Sequence, residues 1–83
     1  MRAIVWSKVH CPMCDQSKKL LTLKGIEFEE RRVSNQFEDS HGSWTKEQLL
    51  EAVPTAKSVP QIFIDDQLIG GFKELQEYFA NNG

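Results

Sequence analysis

Nothing in this sequence approaches the ~18 consecutive apolar residues of a membrane-spanning helix, and the N-terminal apolar run, Ala3 to Trp6, stops at Ser7 and Lys8. That run is also far too short for the apolar region of a secretory signal, so the chain is expected in the cytoplasm. No charge of one sign is in excess: ten Lys and Arg stand against twelve Asp and Glu, a formal net charge of -2. No global field therefore draws the chain to nucleic acid or to an anionic membrane. Repeats, linkers and low-complexity stretches are absent as well. Two cysteines, three positions apart, fall far below the cysteine density of a stapled secreted domain. A bridge between such neighbours closes a loop too small to restrict the unfolded chain much. There is one Cys-x-x-Cys where a structural zinc site uses two paired knuckles. His10 and His41 are respectively too close and too distant to supply the second pair, so no metal is expected.

What is present suits a small globular domain. The 83 residues are 40% apolar and 27% charged, enough for one domain over 1–83 whose core hides about 60 to 65% of the unfolded surface. Met1 to Ser7, with Ile4, Val5 and Trp6, reads as a short buried strand. Pro12 to Lys24 reads as a helix, with proline at its first position and Gly25 as its stop. Ile26 to Val33 alternates weakly before Glu30, Arg31 and Arg32, which suits a strand with one wet face, the charge run being solvated surface. Asn35 to Ser43 collects turn formers and reads as a loop anchored by Phe37.

Thr45 and Gln48 have capping-box spacing, with Trp44 and Leu49 placed as a hydrophobic staple, for a helix ending near Val53. Gln61 to Ile64 and Gln67 to Ile69 form a hairpin around Asp65 and Asp66, and Phe72, Leu75 and Phe79 recur at helical spacing. The order β-α-β-α-β-β-α implies a parallel first pair joined by a crossover helix. The antiparallel hairpin completes a four-stranded mixed sheet with helices on both faces.

The chemistry concentrates at Cys11-Pro12-Met13-Cys14. With Pro12 first in the helix, Cys11 is the N-cap, whose side chain faces the N-H groups of Met13 and Cys14. Those donors and the positive end of the helix dipole favour a thiolate, the conditions that lower a cysteine pKa from about 8.5 toward roughly 3.5 to 7.5. Cys14, one turn on, is close enough to form a disulfide but lies further into the helix, so Cys11 reads as the exposed attacking sulfur and Cys14 as the resolving one. Lys8, Lys18 and Lys19 bring positive charge to the same end, and Asp15 opposes it. His10 reads as a bystander of Cys11.

Cys11-Pro12-Met13-Cys14 after a short strand, Ser58-Val59-Pro60-Gln61-Ile62-Phe63-Ile64 entering a later one, and Gly70-Gly71-Phe72 opening the last helix together resemble a dithiol glutaredoxin of the thioredoxin superfamily. Val59-Pro60 as only a turn before a strand and Gly70-Gly71 as only a hairpin exit are the minority alternatives, while Lys8 and Lys57 taken singly are surface lysines more often than ligands. Their joint placement around the cysteines carries the resemblance, which runs from Met1 to about Phe79. The runs Cys14 to Gly25 and Ile69 to Phe79 look most like glutaredoxins of tailed bacteriophages.

The resemblance implies an α/β, thioredoxin-like fold and a redox-active Cys11-Cys14 disulfide. It implies a monomeric thiol-disulfide oxidoreductase that uses glutathione as reducing co-substrate, with no tightly bound cofactor. It also implies a cis bond before Pro60, where the Val59 backbone pairs with glutathione. The family holds the γ-glutamyl carboxylate on backbone N-H groups of Phe72 and Lys73 after Gly71, and the glycine carboxylate near Lys8 and Lys57, with Met13 beside the site. Lys73 departs from the family, many of whose members carry an aspartate there against the γ-glutamyl ammonium; Glu74 is the candidate substitute.

Phage and bacterial relatives suggest ribonucleotide reductase as the protein substrate. Two other readings stay open: a hydrogen donor fed by thioredoxin reductase, which Lys73 favours, and a glutathione-ligated iron-sulfur carrier, which Pro12 argues against.

Overall fold

The computed structural model describes residues 1–33 and 44–82, so the expected loop Asn35 to Ser43, Phe37 and His41 lie outside the described residues. The elements are β1 (Arg2–Ser7), α1 (Pro12–Leu23), β2 (Glu27–Arg32), α2 (Lys46–Ala52), β3 (Gln61–Ile64), β4 (Gln67–Gly70) and α3 (Phe72–Asn82). They form a four-stranded sheet in the order β2-β1-β3-β4. β1 and β2 are parallel, while β1-β3 and β3-β4 are antiparallel. The architecture is the mixed sheet with three helices that the element order implied.

Strand alternation sorts the core into two layers. Ala3 and Val5 of β1 and Ile62 and Ile64 of β3 face α1 and α3, which contribute Leu21 and Leu75. On the opposite face Ile4, Trp6 and Phe63 meet Leu49 of α2 and Val53 just after it. Residues one apart on a strand point to opposite faces, so β1 buries apolar side chains both ways, as a central strand does.

Local chemistry explains the element ends. The Thr45 hydroxyl accepts the Gln48 N-H at 3.1 Å, and Gln48 Oε1 accepts the Thr45 N-H at 2.8 Å, the reciprocal capping box. α1 closes where the N-H groups of Lys24, Gly25 and Ile26 bond the carbonyls of Leu20, Thr22 and Leu21, each at 3.0 Å, with Gly25 at φ 71°. Asp65 and Asp66 take φ 49° and 68°, the left-handed pair that a two-residue hairpin requires and that aspartate tolerates. Asp65 also ties the turn to β1, its N-H donating to the Arg2 carbonyl at 2.9 Å and its Oδ1 accepting the Arg2 N-H at 3.0 Å.

The charge run at the end of β2 departs from the solvated surface expected of it. Glu30 Oε2 accepts from Ser7 Oγ at 2.6 Å, Lys18 Nζ at 3.0 Å and an Arg32 terminal nitrogen at 3.2 Å. One carboxylate oxygen thus joins β1, α1 and β2. Arg31 lies between two indoles, its guanidinium carbon 5.3 Å from the Trp6 ring centroid and 4.4 Å from that of Trp44, while its Nε bonds Glu29 at 2.6 Å. Residues adjacent on β2 are turned to opposite faces: Glu30 reaches Ser7 and Lys18, and Arg31 reaches Trp6 and Trp44, all distant in sequence, while Arg32 pairs with Glu30 on its own strand.

Candidate active site

β1 ends at Ser7 and the chain turns through Val9 and His10, the latter exposed with φ 58°, into Cys11. Cys11 is the N-cap of α1, extended at φ -120° and ψ 96°, with Pro12 in the first turn as the sequence implied. The Cys14 N-H donates to Cys11 Sγ at 3.2 Å, so the sulfur takes the place that a hydroxyl or carboxylate oxygen occupies at an ordinary cap. The two cysteines are joined as a disulfide, with Cα atoms 5.3 Å apart. Cys11 is 7% exposed and Cys14 1%. The order of accessibility is the expected one, but Cys11 is more enclosed than an exposed sulfur. Met13, between them, is 52% exposed and forms the outer surface of the turn.

Strand register brings the other motifs to the same end of the sheet. Trp6 of β1 pairs with Gln61 of β3, so Lys57 to Pro60 enter β3 beside the end of β1 where Lys8 leaves it. Ile62 pairs with Gly70, so Gly71 and the start of α3 arrive at that end too. The Val59-Pro60 peptide is cis, with Pro60 buried and Val59 packed on the Trp6 layer. Gly71 has its Cα hydrogens turned toward the Pro60 carbonyl, which a side chain there would meet at 3.6 Å. Lys8, Lys57 and Lys73 are exposed and Phe72 is half-buried.

At α3 the Gly71 N-H donates to Glu74 Oε1 at 2.8 Å, so the helix start already carries a carboxylate from its own first turn. Gly70, at φ 120°, has the Glu74 side chain 2.9 Å from where a Cβ would stand, which leaves room only for glycine.

The electrostatics differ from expectation at Lys18. Its ammonium bonds Asp15 at 3.4 Å and Glu30 at 3.0 Å, so this charge is engaged on carboxylates rather than directed at Cys11. Burial pushes the Glu30 carboxyl up, but the hydrogen bond from Ser7, the bond and charge of Lys18, and the bond from Arg32 outweigh it and hold the pKa below 4.5. The Ser7-Glu30-Lys18-Arg32 cluster had no signal in the sequence beyond four polar residues. The capping role of Glu74 did have one, its three-residue spacing from Gly71. Among the described residues no three His, Cys, Asp or Glu side chains gather as a metal site.

A glutaredoxin family profile matches residues 3–69. The chain is 35% identical to glutaredoxin 3 of Escherichia coli over 79 residues, 95% of this chain and 87% of that one. This chain belongs to the glutaredoxin family. Among solved structures it resembles glutaredoxin 1 of Francisella tularensis, determined as a cacodylate complex, with a TM-score of 0.74 at 27% identity over 96% of this chain and 93% of that one. It is also similar to a buckwheat glutaredoxin-glutathione complex, with a TM-score of 0.73 at 25% identity over 95% and 68% of the two chains. As a glutaredoxin with both cysteines of its Cys-x-x-Cys in place, the chain is a thiol-disulfide oxidoreductase.

Proposed function

We propose that this glutaredoxin is one domain over 1–83 that acts as a monomer in the cytoplasm, with glutathione as its reductant and with protein disulfides and glutathione mixed disulfides as its substrates. The observation that carries the reading is the N-cap position of Cys11, where the Cys14 N-H bonds its sulfur at the end of the sheet shared by cis-Pro60 and the start of α3.

Opening the bridge leaves the Cys11 sulfur on that N-H and on the positive end of α1, both of which favour thiolate over thiol. The Cys11 thiolate attacks one sulfur of a substrate disulfide, forming a mixed disulfide and expelling the other sulfur as a thiolate that takes up a proton. Cys14, losing its proton, attacks Cys11 Sγ, which restores the Cys11-Cys14 bond and releases the second substrate thiol. One glutathione thiolate then opens that bond at Cys11 and a second removes the first as glutathione disulfide.

Glutathione is assigned to the surface formed by Lys8, Met13, Lys57, Val59, Pro60, Gly71, Phe72 and Lys73. An extended backbone at Val59 offers strand-like pairing, and a helix N-terminus suits a carboxylate. The likeness to a glutaredoxin solved with glutathione supports this placement. Lys73 lacks the negative charge that the γ-glutamyl ammonium attracts. Glu74, whose carboxylate already stands on the Gly71 N-H, supplies it. Ribonucleotide reductase as a client and a bacteriophage source complete the reading; for the source, only the runs Cys14 to Gly25 and Ile69 to Phe79 speak for it.

The test is reduction coupled to glutathione and glutathione reductase, run beside thioredoxin reductase as the alternative electron source. Wild type is expected to turn over with the first and not with the second. Cys11→Ser should abolish all activity, whereas Cys14→Ser should retain removal of glutathione from mixed disulfides. Equal loss in both variants would refute this division of labour, and turnover by thioredoxin reductase alone would refute glutathione.

A further inference from the structure

α1 and α3 lie side by side and run the same way: Lys24, just past the end of α1, places its Nζ 5.4 Å from the ring centroid of Phe79, late in α3. Between them is an open groove of about 470 Å³ that runs from Gln16 and Phe72 to Lys24 and Phe79. Its origin is at the site end of the molecule. Gln16 comes five residues after Cys11, and Phe72 follows Gly71 at the start of α3. The eight steps from Gln16 to Lys24 span about 12 Å at ~1.5 Å per helical residue, the reach of about four residues of extended chain.

The groove combines two properties. Leu20, Phe72 and Phe79 give it an apolar floor, and Leu23 stands on its rim 83% exposed. Its charge is of one sign, since Lys19 and Lys24 line it and no carboxylate is among its lining residues. Neither lysine forms an ion pair among the described residues, whereas Lys18 next door is held by Asp15 and Glu30. In a chain of net charge -2 this is a local cationic strip laid along exposed apolar surface. A small reductant does not need so long a surface, whereas a polypeptide whose disulfide lies at Cys11 has it within reach.

We propose that the α1-α3 groove seats the chain of a protein disulfide substrate and selects segments in which leucine- or phenylalanine-sized side chains are flanked by carboxylates. The apolar side chains cover Leu20, Leu23 and Phe79, and the carboxylates meet Lys19 and Lys24. The inference rests on disulfide reduction by the Cys11-Cys14 dithiol and is independent of glutathione.

The test uses fully reduced protein in a single turnover, so that the dithiol gives two electrons and two protons to the substrate and no other reductant takes part. The substrates are synthetic peptides with one disulfide and a four-residue tail of Leu and Glu, or of Leu and Lys, placed on either side of the disulfide. Bis(2-hydroxyethyl) disulfide serves as the tail-free reference. The readout is the ratio of acidic-tail to basic-tail rates within each variant.

Wild type is expected to prefer an acidic tail about fivefold at low salt, as two exposed ion pairs allow, and less at high salt. Lys19→Gln with Lys24→Gln should remove the preference, and Lys19→Glu with Lys24→Glu should invert it. Equal rates for both tails, or a preference that ignores these substitutions, overturns the proposal. So does a wild-type dimer in sedimentation that Leu23→Glu dissociates, because the occupant would then be a second copy. Failure to reduce even the reference disulfide would remove the activity itself, and the proposal with it.

Discussion

Glu30→Gln tests whether the cluster at the end of β2 stabilises the fold through its charge. The carboxylate is 26% exposed and its Oε2 accepts three hydrogen bonds, from Ser7 at 2.6 Å, Lys18 at 3.0 Å and Arg32 at 3.2 Å. The amide still offers an oxygen to buried Ser7 but no charge to Lys18 and Arg32. Hydrogen bonds to charged groups contribute about 1.5 to 3 kcal/mol each. Partial exposure, and the 40% exposure of the Arg32 side chain, reduce that gain by solvent screening, so the loss at neutral pH should be about 2 kcal/mol in all. For a domain of this size that lowers Tm by roughly 8 to 16 °C.

The pH dependence follows from the direction of the shift. The folded Glu30 pKa lies below 4.5, so the unfolded chain binds the proton more readily. The contribution is then complete above that value and is lost as pH falls through the lower, folded one. Urea unfolding of the oxidised protein should show a constant gap between wild type and variant from pH 6 to 8, closing toward pH 3. A gap that persists unchanged at pH 3, or is absent at pH 7, would refute the electrostatic account.

Three further substitutions probe other parts of the scaffold. Arg31→Leu removes the cation held 5.3 Å and 4.4 Å from the Trp6 and Trp44 rings and should cost about 1 to 2 kcal/mol, read by thermal unfolding; no change would mean the stacking contributes nothing. Gly70→Ala places a methyl against the Glu74 side chain at φ 120°, so it should cost at least ~1 kcal/mol and weaken the proposed glutathione turnover by displacing Glu74 from the Gly71 N-H. Unchanged stability would contradict the close approach. Leu75→Ala opens a cavity at a fully buried position shared by α3 and the sheet and should cost about 2 to 5 kcal/mol by urea unfolding; under 1 kcal/mol would show that the layer collapses around it.

Short-range signals carried most of the fold. Pro12 placed Cys11 at a cap, Thr45 and Gln48 announced a capping box, the two aspartates marked a hairpin, and apolar periods of two and near four separated strands from helices. Each depends on residues within about one turn of one another, so it is legible without knowing what packs on what. The inequality of the two sulfurs belongs to the same class, because a cap position is a property of the next three residues.

What the sequence could not determine is where side chains meet across elements. Glu30, Arg31 and Arg32 looked like a wet face because a run of charges carries no mark of its partners. Strand register put Ser7 beside Arg32, and the crossover helix brought Lys18 over the sheet to the same carboxylate. That packing took Lys18 away from the thiolate and left Lys19 and Lys24 along the α1-α3 groove. The sequence by itself determined the dithiol, the cap position of its first sulfur and the order of elements, since these are local. Only the tertiary structure decided which charges are engaged and which form no ion pair among the described residues, because Coulomb and hydrogen-bond energies depend on distances set by the whole fold.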